Sequence, residues 1–282
     1  MLHLFDVLVK PVLLYGSEIW GHEGTDILEK LHLRFCKYIL MVNKTTCSNM
    51  VYGELGVTPL LLSAKARMIM FWANISQNNE KPKISNLLYK LLLKLYVDDI
   101  YKSPWCTYIK SILEGCGFSG IWDSQVIPCD KVCFKRVIKE RLIDQFKQKW
   151  TAEIQLSAKC LNYRMFKTSL TLEHYLTSLP YNNRQLLARF RCRNHNLPVE
   201  TGCHRGIPRE QRICTLCKQE LGDEFHFLMK CSYFKMIRSQ LIKKFYWTHP
   251  SSITFELLMT NKNTTELTKL CKYIQHVQNE LK

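Results

Sequence analysis

Four residues near the C-terminal end constrain this chain more than anything else in it. Cys214, Cys217, His226 and Cys231 stand in the spacing C-x2-C-x8-H-x4-C. A C-x2-C turn brings two thiolates to one side of a point, and Gly222-Asp223 lets the chain double back. The segment FHFLMKCSYF can then deliver His226 and Cys231 from the start of a helix. Three thiolates and an imidazole suit the tetrahedral preference of zinc, and a set closed by four protein ligands predicts a structural rather than a catalytic ion. Two other readings of the same residues are a pair of packed cysteines beside an unrelated His, and a redox C-x2-C. The redox reading expects a preceding strand and leaves His226 and Cys231 without a role. Cys192, His195, Cys203 and His204 form a looser set with no turn geometry to gather them, and are expected to be packing and surface groups.

Outside this segment the apolar residues recur at helical spacing, which predicts a mostly α protein. Asp26 and Glu29 resemble a capping box ahead of Ile27, Leu28, Leu31, Phe35, Tyr38 and Ile39. Pro59 is placed to open a helix reaching about Ile75, and Ser103-Pro104 to start another that Gly115 and Gly117 close. The polar stretch Gln77 to Lys83 reads as a loop, and Leu87 to Tyr96 as a further helix. A long helix is expected from Val132 to Ile154, a short one from Tyr181 to Asn194, and a last one with Leu267, Leu270, Ile274, Val277 and Leu281 on one stripe.

The 13 cysteines are an odd number in a chain long enough to need no staples, which suits a reducing compartment and an intracellular place, nucleus or cytoplasm. No apolar run reaches the roughly 18 residues of a membrane span. The N-terminal MLHLFDVLVKPVLLYGSEIW is interrupted by Asp6 and Lys10 and lacks a basic leading region, so neither secretion nor a membrane partner is predicted.

Forty Lys and Arg against 24 Asp and Glu give a net charge of +16, which points to an anionic partner. The surplus is uneven. Residues 1–130 carry 13 basic and 12 acidic side chains, whereas residues 131–282 carry 27 and 12. A neutral helical region over 1–125 and a basic helical region over 126–282, with the zinc segment at 212–240, is the expected organisation. Arg184, Arg189, Arg191, Arg193, Arg205 and Arg212 are the candidate contacts to RNA or DNA, mainly through phosphates. Tyr163, Phe166, Tyr181, Tyr233 and Trp247 are candidates for stacking on bases.

Several runs carry a family resemblance in a consistent order. RCRNHNLPVETG at 191–202, Arg212-Ile213-Cys214-x2-Cys217, DEFHFLMKCSYF at 223–234 and Arg238 resemble the cysteine-rich C-terminal segment of LINE-type, non-LTR retrotransposon reverse transcriptases. VLLYGSEIWG at 12–21, LRFCKYIL at 33–40 and VYGELGVTPL at 51–60 resemble the region after the polymerase palm in the same proteins. Trp105, Ile112-Leu113, Gly117-Phe118 and Ile121-Trp122 continue the match. The resemblance implies a thumb-like front, the four zinc ligands named above, and association with the rest of a reverse transcriptase. Lys218 departs from it, because many zinc knuckles place a glycine soon after the second Cys.

Tyr96-Val97-Asp98-Asp99 spells the Y-x-D-D string of reverse transcriptase active sites. Two-metal nucleotidyl transfer needs that pair on a strand hairpin with a third carboxylate nearby. Here the string ends a leucine-rich helical run, so a polar turn is expected. The 51 residues after Cys231 contain no Asp, which argues against a carboxylate-metal nuclease. The expected function is therefore non-catalytic: a zinc-binding module that holds template RNA or target DNA. The alternative is a retained transposon fragment whose zinc segment binds another protein.

Overall fold

The computed structural model describes residues 1–77 and 83–281, and within them the chain is mostly helical. Among the described residues no β-strand forms; only two isolated antiparallel bridges occur, Leu55 with Leu172 and Ile213 with Leu221. No helix is long and apolar enough to cross a membrane. Most of the loop expected over Gln77–Lys83 lies outside the described residues.

The helices follow the periodicity closely. Thr25–Leu40 begins one residue before Asp26, which therefore sits in the first turn instead of capping it. Leu60–Ser76 opens directly after Pro59. Pro104–Gly115 is capped by Ser103, whose hydroxyl accepts from the Cys106 N–H. The leucine-rich helix spans Ile84–Val97, with Asp98 ending it and Asp99 held left-handed at φ 60°. Asp99 is paired with Lys102 at 2.9 Å. The Y-x-D-D string thus forms a helix end and a polar turn.

The chain divides into two compact units. One comprises Met1–His32 with Thr58–Gln148, the other Leu33–Val57 with Lys149–Lys282. The charge-based boundary near residue 125 differs from this division. Compactness follows apolar contact rather than charge: Phe134, Ile138 and Leu142 of the Lys131–Leu156 helix are buried in the first unit's core, although the same helix carries exposed Lys135, Arg136 and Lys139.

In the first unit, Met68, Ile69, Trp72 and Ala73 pack with Ile109, Leu113, Trp122 and Ile138. The Trp72 indole donates to Tyr89 Oη at 2.7 Å, satisfying the polar atom that so large a buried side chain brings with it. In the second unit, the helix Ser48–Leu55 is tied down by the Trp150 indole on the Asn49 carbonyl at 2.8 Å and by the Tyr163 hydroxyl on the Met50 carbonyl at 3.2 Å. Gly53 permits that approach, since a Cβ there would stand 2.4 Å from Tyr163 Oη. The C-terminal helix Thr264–Glu280 is capped by Asn263 and buries Leu267, Leu270, Tyr273, Ile274 and Val277.

One buried electrostatic cluster dominates the second unit's interior. Glu54, in the Ser48–Leu55 helix, accepts from Arg191 Nε at 2.9 Å and from the Tyr175 hydroxyl at 2.5 Å. Arg191 Nη2 lies 2.9 Å from Glu173, which also pairs with buried Lys167. Arg191 Nη1 donates to the Met259 carbonyl at 2.7 Å.

Candidate metal centre

Residues 212–222 form a small hairpin. Cys214 N donates to the Glu220 carbonyl at 2.8 Å and Gly222 N to the Arg212 carbonyl at 2.9 Å. Between them Lys218 N closes a turn on the Cys214 carbonyl at 3.0 Å, and Lys218 takes the left-handed conformation at φ 56°. That is the backbone region where glycine alone escapes a penalty, which gives the departure at Lys218 a physical meaning. Gly222 has no room for a side chain: a Cβ would lie 2.7 Å from Pro198 and 3.1 Å from the Cys214 Cα.

Asp223 then starts the second ligand segment, with its carboxylate accepting from His226 N at 3.0 Å. His226–Lys230 is a π-helical turn, not the α-helix start expected, and Cys231 N donates to the His226 carbonyl at 2.8 Å. The wider turn explains the H-x4-C spacing. Five residues of α-helix would rotate the second ligand about 140° from the first, whereas an i→i+5 turn returns it toward the same side. Two side chains pin the carbonyls of this turn. Buried Arg238 donates to the Cys231 carbonyl at 2.6 Å, and the Tyr273 hydroxyl to that of Phe227 at 2.6 Å.

The result brings all four predicted ligands together. Their ligand atoms lie within 4.8 Å of one another, with three of the residues buried and Cys217 half-buried. Cys214 Sγ is 3.9 Å from Cys231 Sγ, and Cys217 Sγ is 3.2 Å from His226 Nε2. The thiol of Cys231, and behind it the N–H groups of Leu216 and Cys217, hold the Cys214 thiol far below its ordinary range, which favours a thiolate there. Glu220 faces the other ring nitrogen of His226 at 3.6 Å, and Lys230 at 3.0 Å holds that carboxylate. A cluster of three thiols and an imidazole, backed by a carboxylate on the imidazole, can hold a metal ion.

The RCRNHNLPVETG run is the scaffold behind this cluster. Buried Glu224 accepts from His195 Nε2 at 2.8 Å and also from Asn162, with Arg193 Nε 3.8 Å away. Burial alone would raise the Glu224 carboxyl, but His195 and Arg193 outweigh it and hold it at about 2. Val199 N donates to the Gly222 carbonyl at 3.0 Å, and Arg212 Nη1 to that of Val199 at 2.9 Å. Cys192, His195, Cys203 and His204 do not join into a metal-holding group among the described residues; Cys192 and His195 are buried and His204 is exposed.

The candidate nucleic-acid contacts divide sharply. Arg189 and Arg205 are exposed and Arg184 is half-buried, its guanidinium 5.6 Å from the Tyr181 ring centroid. Arg191 is corrected: only 2% exposed and spent on Glu54 and Glu173, it cannot reach a phosphate. Arg193 is held by Glu200 at 2.8 Å with a side chain only 10% exposed, and Arg212 donates to the carbonyls of Ile207 and Val199, so both serve the scaffold first. Among the aromatics, Tyr163 and Phe166 are buried and unavailable for stacking, while Tyr181 and Tyr233 are exposed. Glu220, Asp223 and Tyr273 were invisible as site residues in the sequence, because nothing in their spacing marks a side chain that orients a ligand or caps a turn.

The fold and site define a mostly α protein bearing a Cys3His metal-ligand cluster. No family model, curated protein or solved structure matches the chain.

Proposed function

We propose that the cluster holds structural zinc and that the chain is the non-catalytic, nucleic-acid-holding C-terminal part of a LINE-type retrotransposon reverse transcriptase. The observation that carries this reading is the gathering of Cys214, Cys217, His226 and Cys231 at one point, in the family's order, against the RCRNHNLPVETG run. A tetrahedral zinc with Zn–S of about 2.3 Å has ligand–ligand edges of about 3.5–3.8 Å. The 3.9 Å and 3.2 Å separations found here bracket that range. Bound zinc supplies cross-linking of the hairpin to the π-helical turn. Arg238 and Tyr273 hold the turn's carbonyls, and the Glu220 carboxylate lies 3.6 Å from the other imidazole nitrogen.

The charge supports a nucleic-acid partner. Counted by compact unit, the first carries 16 basic and 13 acidic side chains and the second 24 and 11. Inside the second unit the buried cations Lys167, Arg191 and Arg238 are matched in number by buried Glu54, Asp223 and Glu224. The interior therefore neutralises itself, and the surplus belongs to the surface. Exposed Arg189, Arg205, Lys149 and Lys159 supply phosphate contacts there, and the exposed rings of Tyr181 and Tyr233 are offered to bases.

The test is binding of the full chain to single-stranded RNA across a salt series. With about five phosphate contacts the slope of log affinity on log salt should be about −3.5, an affinity loss of roughly 100-fold between about 50 and 200 mM salt. Affinity independent of salt would overturn the nucleic-acid reading and favour a protein-binding module.

A further inference from the structure

A polar cavity of 290 Å³ lies wholly within the second unit, and none of the four metal ligands lines it. Three pieces of chain wall it: residues 43–50, Lys159 in a 3-10 turn, and residues 192–204. These walls are fastened to one another. Asn43 N donates to Asn194 Oδ1 at 3.0 Å, and Arg189 Nε to the Met41 carbonyl at 2.7 Å. Arg193 donates to the Lys159 carbonyl at 2.9 Å and pairs with Glu200 at 2.8 Å, so one side chain ties the 3-10 turn to the helix Pro198–His204. It does so from a left-handed backbone, φ 57°, just past a helix end, where glycine would carry no penalty. The bracing is what an arginine offers there and a glycine does not.

We propose that this cavity seats one unpaired nucleotide of the bound RNA, with its base among amides and hydroxyls and its phosphate toward Lys159 and His204. The proposal rests on the nucleic-acid reading above and names what that reading leaves open. Among the described residues, the side chains of Asn43, Thr45, Thr46 and Asn196 are spent on no hydrogen bond within the protein, yet all four line the cavity. Each amide offers a donor and an acceptor, and each hydroxyl can serve as either. That mixture fits a base edge or a ribose. It does not fit a bare inorganic anion, which needs donors alone and would meet the Glu200 carboxylate in the same lining. An apolar ligand would strip water from these groups and return no hydrogen bond. Cys47, Met50 and Cys192 also line the cavity, and their polarisable sulfurs suit the face of a flat ring. Exposed Lys159 and His204 place positive charge where the flanking backbone must run. The volume is close to the about 300 Å³ at which small-ligand pockets begin, so it holds a single nucleotide. A paired nucleotide cannot enter, because its base edge and faces are already engaged in the duplex.

The test uses the zinc-loaded full chain, a short single-stranded RNA and the blunt duplex of the same sequence. Asn43 and Asn196 are exposed, and their side chains brace no wall, so Asn43→Ala with Asn196→Ala keeps the fold. The double variant should bind the single strand about tenfold more weakly, with the slope of log affinity on log salt unchanged, because amide contacts to a base release no counterions. Its affinity for the duplex should stay at the wild-type value. Wild-type protein supplies an independent readout. With thiouridine in the single strand, photo-crosslinks should fall on the tryptic peptides Thr45–Lys65 and Asn194–Arg205. Crosslinks confined to the peptides of Tyr181 and Tyr233, an equal loss on single strand and duplex, or a double variant that binds like wild type would each overturn the proposal while the nucleic-acid reading stands. A wild-type chain that binds neither RNA would overturn both.

Discussion

Replacing Arg191 by Met separates the two roles an arginine in the RCRNHNLPVETG run can have. The side chain is fully buried and makes contacts of 2.9 Å to Glu54, 2.9 Å to Glu173 and 2.7 Å to the Met259 carbonyl, with its guanidinium 4.5 Å from the Phe166 ring centroid. Each charge-assisted bond contributes about 1.5–3 kcal/mol, but removing the guanidinium also returns its own desolvation cost. What remains is a Glu54 carboxylate with no exposure, now held only by the Tyr175 hydroxyl. The net loss for breaking such a pair is about 3–5 kcal/mol, which for a unit of this size lowers the melting temperature by roughly 10 °C. Urea unfolding followed by circular dichroism measures it. Adding Glu54→Gln to Arg191→Met should recover part of the loss, because the stranded charge is then gone. Arg189→Gln is the contrast on the same helix: it gives up one exposed hydrogen bond, from Arg189 Nε to the Met41 carbonyl at 2.7 Å, so its stability change should stay within about 1 kcal/mol, while the salt slope of RNA binding flattens by about 0.7. An Arg191→Met protein that unfolds like wild type but binds RNA more weakly would refute the reasoning and return Arg191 to the binding surface.

Atomic absorption on purified protein should find about one zinc per chain, with Cys217→Ser and His226→Ala releasing it. Lys218→Gly should stabilise the zinc-bound form by about 0.5–1 kcal/mol in chemical denaturation, since it relieves the left-handed backbone at a cost only in unfolded-state entropy. Glu220→Gln should weaken zinc about 10-fold or more in a chelator competition, without changing metal stoichiometry at saturation. Gly222→Ala should lower zinc affinity further, because its Cβ would meet Pro198 at 2.7 Å and the backbone of Cys214 at 3.1 Å.

The helices and the four ligands were legible because each rests on a local signal: a 3.6-residue apolar period, a proline or serine at a helix start, a spacing that suits a tetrahedron. The π-helical turn at His226–Lys230 was not legible, since the side chains that reach its carbonyls, Arg238 from the next helix and Tyr273 from the C-terminal helix, leave no mark in its own spacing. The division into units was hidden for a related reason. Charge marks the outward face of the Lys131–Leu156 helix, whereas Phe134, Ile138 and Leu142 on its inward face decide where it packs. Summed charge pointed to the basic part of the chain correctly in number, yet it had no means of telling Arg189 from Arg191, two residues apart on one helix and opposite in exposure.

That pair also shows why a run rich in arginine and histidine sits before the Cys3His cluster. His195 is hydrogen-bonded to Glu224 at 2.8 Å and Arg193 lies 3.8 Å from it, and Glu224 is the first residue of the turn that delivers His226. Val199 and Arg212 join the same run to the base of the hairpin that delivers Cys214 and Cys217. Both halves of the cluster are therefore fastened to one segment before any ion binds. A four-ligand site whose two halves are already held in register loses less conformational entropy when the ion arrives. The cations of this run act mainly as internal counter-charges, whereas Arg189, Arg205 and Lys159 face solvent.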